Sequence, residues 1–492
     1  MPTSKDSSNP QSYELEVLTI VNNEGDGFDI RSIFQECNIY ESIKRNFLLG
    51  EVIVSDAVAF LENAKLFGQE SIRIRFKQPS GYQSDELDED DLIDQVFRIY
   101  KIDKIMRLDA SSQAFKINFC SPEMLESKRK RISQAFRGSM TDIAAKIGEE
   151  HLEISNDSEN LNKKLESYFE VREKSQGDKY HVVIPNWTVG YTINWLCKQA
   201  QGVDLNSGLQ DSFYWFQTAN GGYRIQSLDS MMKTEYGGGA PFTLKYGASQ
   251  DGYDLPYDKA DGDGSIGMGR RILAYSVNTQ ADVLKGVVNG LFSSKQTTVD
   301  NTYKYYTEKT YSFLETHYGG EGQSMSPHPF VRTQPENLHI GTNADKGDVE
   351  ITGVREGNGI GDYPDAHQIL TSDSSFVNDD KDQIHQANHM THLGSQQFRA
   401  AANQLLEYYT INVVLSARTD ISVGQLINLN IPSVRPGEGD TDPIFHNGMH
   451  LITEIMWNLT PSKCKVNVKC VRDSVLTNIE TTAIVYGETE TT

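Results

Sequence analysis

Polar and apolar residues alternate in the last quarter of the chain. Every second residue of Lys465–Cys470 is apolar, and Leu426–Ile431 alternates in the same way, with Asn428 and Asn430 at polar positions. A period of two is typical of a β-strand that has one buried face and one hydrated face. The pattern predicts four consecutive strands of an antiparallel barrel or sandwich, at Tyr408–Leu415, Gly424–Pro432, Gly448–Trp457 and Cys464–Val471.

The N-terminal part also predicts an all-β unit, because runs of β-forming residues are separated by turn residues. Between Gln78 and Gln95 lies an acidic insertion that lacks the glycine-containing ligand spacing of a calcium loop, so we interpret it as a solvated hairpin loop. The predicted strands of this unit are Tyr13–Val21, Ile30–Ile39, Phe47–Val54, Ser71–Phe76, Val96–Met106 and Gln113–Phe119.

The character of the sequence changes at Ser121 and Pro122. Proline suits the first position of a helix, and serine suits the N-cap before it. Apolar residues then recur at helical spacing over 140–147, and a second helix is predicted to follow the segment 182–196. These elements predict a small α/β unit.

Two further segments complete the chain. Phe213–Leu228 predicts a β-hairpin, since two aromatic-rich strands flank Asn220-Gly-Gly, a turn that needs positive φ. From Ser249 to Gly394 regular periodicity fades and Gly, Asp, Asn and Tyr accumulate, which predicts a folded insertion with long loops.

Composition narrows the function classes. The 492 residues are 38% hydrophobic, which is enough for several cores, and contain no run of 18 apolar residues, so we expect no membrane insertion. The N-terminus lacks the apolar segment of a secretion signal. Five cysteines without a CxxC pair indicate free thiols in a reducing compartment. A net charge of −22 disfavours specific nucleic-acid recognition, because such a surface repels phosphates.

No motif predicts a catalytic, cofactor-binding or metal site. Asp261–Gly267 resembles half of a calcium loop, but Arg270 stands where the closing carboxylate belongs, and its glycines lack the strand and helix of a dinucleotide site. His385, His389 and His392 share one helical face and leave a zinc site open, although an ordinary amphipathic helix explains them more simply. Lys128–Arg131 form a basic cluster, interpreted as a solvated helix end, with a phosphate or partner contact as the alternative.

Taken in order, these patterns resemble the central baseplate hub proteins of contractile-tailed bacteriophages of the T-even type. The resemblance is carried by the order of several segments along most of the chain, from Tyr13 to Asp473. They are Asn118–Glu123, Arg131–Ile143, Ile184–Leu196, the hairpin Phe213–Leu228, Gly424–Pro432 and His450–Trp457.

The resemblance implies a mainly β fold with α+β insertions, in which each subunit has two tail-tube-like antiparallel β-barrels, a small α/β domain and a loop-rich insertion. The implied ranges are 1–121 for the first barrel, 122–210 for the α/β domain, 211–247 for the hairpin of the second barrel, 248–394 for the loop-rich insertion packing with the α/β domain, 395–478 for the remaining strands of the second barrel, and 479–492 for a C-terminal tail.

The resemblance further implies a non-enzymatic virion protein of the tail baseplate, assembled in the host bacterial cytoplasm. Three copies would adapt the hexameric tail tube to the trimeric central spike and form part of the DNA conduit. The implied partners are the tail tube protein, the central spike protein, the baseplate wedge proteins and passing genomic DNA without specific binding. No cofactor is implied.

Two other classes remain open from the residues themselves. A β-rich carbohydrate-binding protein is suggested by the aromatic run Tyr214–Phe216, and a cell-wall-degrading tail protein is the enzymatic alternative. If the conduit interpretation holds, alternate strand residues face the bore. We therefore predict that the lumen-facing set is Asn428, Asn430, Asn467 and Lys469.

Overall fold

The computed structural model describes thirteen ranges of the chain, and every structural statement below concerns them. The described residues are 11–78, 92–168, 180–200, 212–232, 243–246, 271–279, 282–291, 293–300, 305–312, 366–371, 376–378, 395–431 and 446–472. The fold is mainly β, as predicted.

The N-terminal unit is a seven-stranded antiparallel sheet in the order β2-β1-β5-β6-β7-β4-β3. Its end strands, β2 and β3, are consecutive in the chain and joined by residues 30–33, so the chain links both edges of the sheet. Its elements are β1 Glu14–Val21, β2 Gly27–Asp29, β3 Phe34–Ser42, β4 Leu49–Asp56, α1 Phe60–Asn63, β5 Ser71–Lys77, β6 Ile93–Arg107 and β7 Gln113–Cys120.

The middle of the chain is the predicted α/β region. Ser121 takes the N-cap position of the next helix, but its hydroxyl donates to Gln217 Oε1 of the following hairpin, so it makes no capping bond. The elements are α2 Pro122–Arg129, β8 Arg131–Gly138, α3 Met140–Leu152, β9 Leu165–Tyr168, β10 Tyr180–Thr188, α4 Val189–Gln199, β11 Phe213–Thr218, β12 Gly222–Ser227 and α5 Leu228–Met232.

The remaining described elements include the four predicted C-terminal strands. In chain order they are β13 Thr243–Tyr246, β14 Arg271–Thr279, α6 Val283–Val288, β15 Ser293–Asp300, β16 Tyr305–Ser312, β17 Ala366–Thr371, β18 Phe376–Asn378, α7 Ser395–Tyr408, β19 Tyr409–Leu415, β20 Leu426–Asn430, β21 Gly448–Leu459 and β22 Cys464–Arg472. None of the described helices is long and apolar enough to span a membrane.

Six strands of the C-terminal unit form a closed ring of hydrogen-bonded pairs. The order β21-β20-β13-β14-β19-β22 returns to β21 through the β21–β22 pair. Alternate residues of these strands fill the interior. Val466, Val468 and Cys470 are fully buried along β22, as the period of two predicts.

The hairpin β11–β12 lies outside this ring. The sequence-based division assigned 211–247 to the second barrel, and of that range β13 enters the ring, whereas β11 and β12 pair with each other and with β9 in a separate sheet. Both faces of the hairpin are buried. Trp215 belongs to the core of the α/β region and Phe216 to the core of the two β units, so the hairpin packs between them.

One strand joins the two β units. The first residues of β21, 448–451, pair with β20, and residues 454–459 of the same strand edge pair antiparallel with β3. This junction makes one continuous thirteen-stranded sheet. One hydrophobic core runs beneath both units and includes Ile39 of β3 and Trp457 of β21.

The two units repeat one five-stranded arrangement. In chain order β3, β4, β5, β6 and β7 match β14, β19, β20, β21 and β22, and both sets have the same neighbours in the sheet. Irregularities coincide as well. Register shifts between Phe34 and Glu36 and between Ile99 and Lys101 have counterparts between Ile272 and Ala274 and between Ile452 and Glu454.

Candidate assembly surface

The four predicted lumen residues lie opposite the core on their strands. Asn430 is exposed and Asn428 is half-buried, while Leu429 between them is 1% exposed. Asn467 and Lys469 are half-buried. The predicted alternation is therefore present; whether this face lines a bore stays a prediction.

The structure does not bring all four residues together. Asn428 lies opposite Met449 on β21, whereas Asn467 lies opposite Met456, seven residues further along the same strand. At about 3.3 Å per residue the two asparagines are separated by roughly 20 Å along the strand direction. Asn428 instead donates to Thr243 Oγ1 at 3.3 Å.

A polar row crosses the junction of the two units. Cross-strand pairing places one polar residue from each of six adjacent strands opposite the next. We call this row, together with the charged side chains beside it, the polar band; these side chains are Glu36, Asp103, Lys116, Glu454 and Lys469. The row runs through Lys465, Asn458, Asn38, Glu51, Asn118 and Lys101.

Hydrogen bonds connect the polar band at the β3–β21 junction. Asn458 Nδ2 donates to Asn38 Oδ1 and to Glu36 Oε1, both at 2.7 Å. Asn38 Nδ2 donates to the same Glu36 oxygen at 2.9 Å. Asn38 is only 5% exposed, so its amide needs these partners. The network therefore fixes the register between the units on the side opposite the shared core.

Each of three cations in the polar band contacts a carboxylate. Lys101 Nζ lies 2.5 Å from Asp103, Lys469 Nζ lies 3.3 Å from Glu454, and Lys116 pairs with Glu51. The hydrogen bond from Lys101 lowers the pKa of Asp103 below its ordinary value. Lys465, the fourth lysine of the band, is exposed. The band also contains the four carboxylates of Glu36, Glu51, Asp103 and Glu454, so it does not present an excess of cations to a phosphate backbone.

Partial burial acts on the ionisable groups near Glu51. Burial is the largest influence on the Glu51 carboxyl and raises its pKa, but hydrogen bonds from Lys116, Asn38 and Tyr40 outweigh it and leave the pKa below the ordinary value. Burial, followed by the nearby Glu51 charge, raises the pKa of Tyr40 to about 12. At neutral pH the carboxylate is therefore ionised and the phenol is protonated.

Glu41 forms a second polar contact between the units, inside the core. Its carboxylate accepts from Val423 N at 2.7 Å and from Ala219 N at 2.9 Å, and so connects β3 with the β19–β20 loop and the hairpin turn. The residue is 1% exposed. Burial raises its pKa to about 7, although the two backbone donors favour the ionised form.

The Glu41 contact gives a pH-dependent prediction. Between the ordinary pKa of 4.5 and the folded value of about 7 the folded state keeps a proton that the unfolded state has released, so wild-type stability falls as pH rises through this window. Glu41→Gln does not titrate. Its free energy of unfolding, relative to wild type, is expected to rise by up to about 3 kcal/mol across the window.

Denaturant unfolding at a series of pH values measures this difference. Glu62→Gln, at an exposed position of α1, is the matched control and should shift less. A Glu41→Gln difference that stays flat with pH contradicts the assigned burial cost.

The other sequence candidates fall in three groups. Lys130 Nζ donates to His151 O and Arg131 Nη1 to Asn186 O, so this half of the basic cluster contacts the protein's own backbone, whereas Lys128 and Arg129 are exposed. All five cysteines are free and buried. The segments Asp261–Gly267 and His385–His392 lie outside the described residues, and no metal-binding cluster of His, Cys, Asp or Glu occurs among the residues described.

The aromatic run that suggested glycan binding is packed inside the protein. Trp215 is 2% exposed and Phe216 is fully buried, while the Tyr214 hydroxyl donates to Asn403 Oδ1. A glycan-binding platform needs exposed aromatic faces. This run therefore provides none in the described structure.

Sequence reasoning missed the polar band and Glu41. The sequence predicted strands at these positions, but cross-strand rows depend on the register between segments that can lie hundreds of residues apart. Glu41 gave no signal, because a single acidic residue in a strand is ordinarily an exposed one.

Comparisons with known proteins give matches only among solved structures. No family profile and no curated protein matches the chain. A tail protein from Neisseria meningitidis MC58 has a TM-score of 0.47 and 9% identity, with 94% of this chain and 97% of that chain covered. The 43 kDa tail protein of prophage MuSo2 from Shewanella oneidensis has a TM-score of 0.47 and 10% identity, with 94% and 98% covered.

A third similar structure comes from a secretion system. It is an E. coli component of the type VI secretion system, described as structurally similar to two bacteriophage T4 tail proteins. Its TM-score is 0.40 at 8% identity, with 94% of this chain and 77% of that chain covered. These three similar structures are thus two tail proteins and a component of a type VI secretion system.

Proposed function

We propose that this chain is a structural protein of a contractile phage tail and that three copies form the central hub of its baseplate. The observation that carries the proposal is the internal repeat. Two five-stranded units with the same connectivity and coinciding bulges are joined edge to edge in one sheet. Three such chains place six similar units around one axis, so a threefold assembly offers a nearly sixfold surface.

This geometry suits an adaptor between a hexameric tail tube and a trimeric central spike. One end of the ring meets the tube through six similar units, while the chain as a whole retains threefold symmetry for the spike. The baseplate wedge proteins are the expected outer partners. The place of action is the virion tail, after assembly in the cytoplasm of the host bacterium.

The polar band supports a conduit role. A channel for DNA must be hydrated and must not hold phosphates, because each tight cation contact adds affinity. The band is polar across both units and pairs three of its lysines with carboxylates. We propose that this face turns toward the bore and that DNA passes it without specific binding.

The mass of the assembled protein tests the proposal. Native mass spectrometry over a concentration series is expected to give three times the 55.2 kDa chain mass. If the pure chain is monomeric, the measurement is repeated with a trimeric spike protein of the same virus. A chain that is monomeric in both experiments contradicts the hub.

The proposed role needs no catalysis by this chain. The pure protein is expected to leave peptidoglycan uncleaved, measured as release of soluble fragments beside a lysozyme control. Fragment release that disappears when a single carboxylate is neutralised would instead support the cell-wall-degrading alternative.

A further inference from the structure

Two strand edges are left open, one at each end of the repeat. β5 pairs with β6 only up to Arg98, and Ile99 N donates to Glu70 O, so among the described residues no strand pairs with that edge of β6 over 101–107. On β14 the edge opposite β19 pairs with β13 only at Arg271 and Ile272, and no described strand pairs with it over 273–279.

The internal repeat relates these two open edges to the β3–β21 junction within the chain. β6 matches β21 and β14 matches β3, and within one chain it is the far part of β21 that pairs with β3. The open parts of β6 and β14 are thus the counterparts of the two strand edges that pair at the β3–β21 junction. Within one chain they cannot pair with each other, because several strands separate them in the sheet. We infer that β6 of one copy pairs antiparallel with β14 of a second copy.

The register follows from the coinciding bulges. The first residue after the β21 bulge, Glu454, lies opposite Lys469 of β22. Asn458 lies opposite Lys465, which is four residues before Lys469 on β22. On the matching strand β7, Ala114 is four residues before Asn118 and lies opposite Met106. Met106 is therefore the counterpart of Asn458.

The same count on the other strand identifies the partner of Met106. Asn38 is two residues after Glu36, the first residue beyond the β3 bulge, and Ser276 is two residues after Ala274, the first beyond the β14 bulge. Ser276 is therefore the counterpart of Asn38. Since Asn458 lies opposite Asn38 within the chain, Met106 lies opposite Ser276 of the next copy.

Two further irregularities keep this register continuous. Compared with its counterpart, β6 has one extra residue between Asp103 and Met106, and β14 has one extra residue between Val277 and Thr279. Both extra residues lie between the pair Met106–Ser276 and the pair Asp103–Thr279, so each strand advances by three residues between these pairs. Asp103 therefore lies opposite Thr279 just as Met106 lies opposite Ser276, with no offset between the two pairs.

Exposure distinguishes the filled interface from the open one. Within the chain Asn38 and Trp457 are 5% and 0% exposed. At the open edges Met106 is 60% exposed, Ile105 beside it is 54% exposed, and Ser276 is exposed. Apolar side chains beside an unpaired strand edge favour addition of another strand. Because the interface joins two different surfaces, repeated copies form either a closed ring or an open filament, and the proposed hub requires the ring of three.

The inference rests on the proposed hub and gives the contact between its subunits. Its test is a disulfide between engineered cysteines in the full chain, Met106→Cys with Ser276→Cys. Directly opposite residues of antiparallel strands have Cα atoms about 4.5–5.5 Å apart, which a disulfide spans. Both positions are exposed, so folding should be unaffected, and the five native cysteines are buried.

After mild oxidation, denaturing gels without reductant are expected to show covalent species of two and three chains and none larger. The matched control is Met106→Cys with Val277→Cys, which places the second thiol on the other face of β14 and should give at least tenfold less product. Asn38→Cys with Asn458→Cys tests the equivalent contact within one chain. Its disulfide is intramolecular, so this variant should run as a single chain on the denaturing gel.

Mass and cross-linking separate the two possible failures. A trimeric protein whose Met106→Cys, Ser276→Cys variant stays unlinked, or links no better than the control, contradicts this interface and leaves the hub intact. A protein that stays monomeric both alone and with the trimeric spike protein, and forms no link in either case, contradicts both. Products that extend beyond three chains contradict ring closure at the trimer.

Discussion

Replacing Trp457 with alanine is expected to lower the free energy of unfolding by about 4–6 kcal/mol. The indole is fully buried in the core that both units share, and its Nε1 donates to Arg418 O at 3.0 Å. Truncating a buried tryptophan costs roughly 3–5 kcal/mol, and leaving the buried carbonyl without its donor adds about 1 kcal/mol. Denaturant unfolding followed by circular dichroism measures the change.

Two variants control this measurement. Trp457→Phe fills most of the space and loses the donor, so it should cost clearly less than alanine. Phe67→Ala removes an aromatic ring that is 81% exposed and should change stability by no more than about 0.5 kcal/mol. An alanine variant at 457 as stable as the Phe67 control contradicts the shared core.

Ile105→Lys is expected to leave the folded chain intact and to dissociate the proposed trimer. The side chain is 54% exposed in one chain, but the proposed pairing places it opposite Val277 of the next copy. A lysine buried there without a partner costs roughly 3–5 kcal/mol, so trimer affinity should fall by about 100-fold or more. Mass photometry over a dilution series measures the affinity.

A charge-swap variant separates interface effects from misfolding. Adding Val277→Glu to Ile105→Lys supplies an opposite charge across the interface and should restore part of the lost affinity. Ile105→Lys that trimerises like wild type, or a double variant that is weaker than the single one, contradicts the pairing of β6 with β14.

A strand could be predicted from the sequence wherever one of its faces is buried and the other is hydrated. In β22 the alternation of Val466 and Val468 with Asn467 defined both the strand and its inner face, and both aspects are confirmed. Pro122 likewise marked the start of α2. These features depend on neighbouring residues, so local periodicity and helix-start preferences contain the information.

The pairing between strands could not be predicted from the sequence in the same way. β3 pairs with β21, more than 400 residues later in the chain, and no local pattern specifies that register. The assignment of the hairpin to the second barrel failed for a related reason. Its aromatic residues resemble one face of a barrel wall, but Trp215 packs against Gly148 of α3, where an added Cβ would lie 2.6 Å from the indole. Burial of both hairpin faces removes the alternation that distinguishes core from surface.

Electron cryomicroscopy of the assembled ring tests the central claim most directly. The expected map shows three chains as six similar β units around a channel, with the polar band and the set Asn428, Asn430, Asn467 and Lys469 on the channel surface. A ring whose polar band is packed against protein, or a channel surface dominated by Lys and Arg, contradicts the conduit.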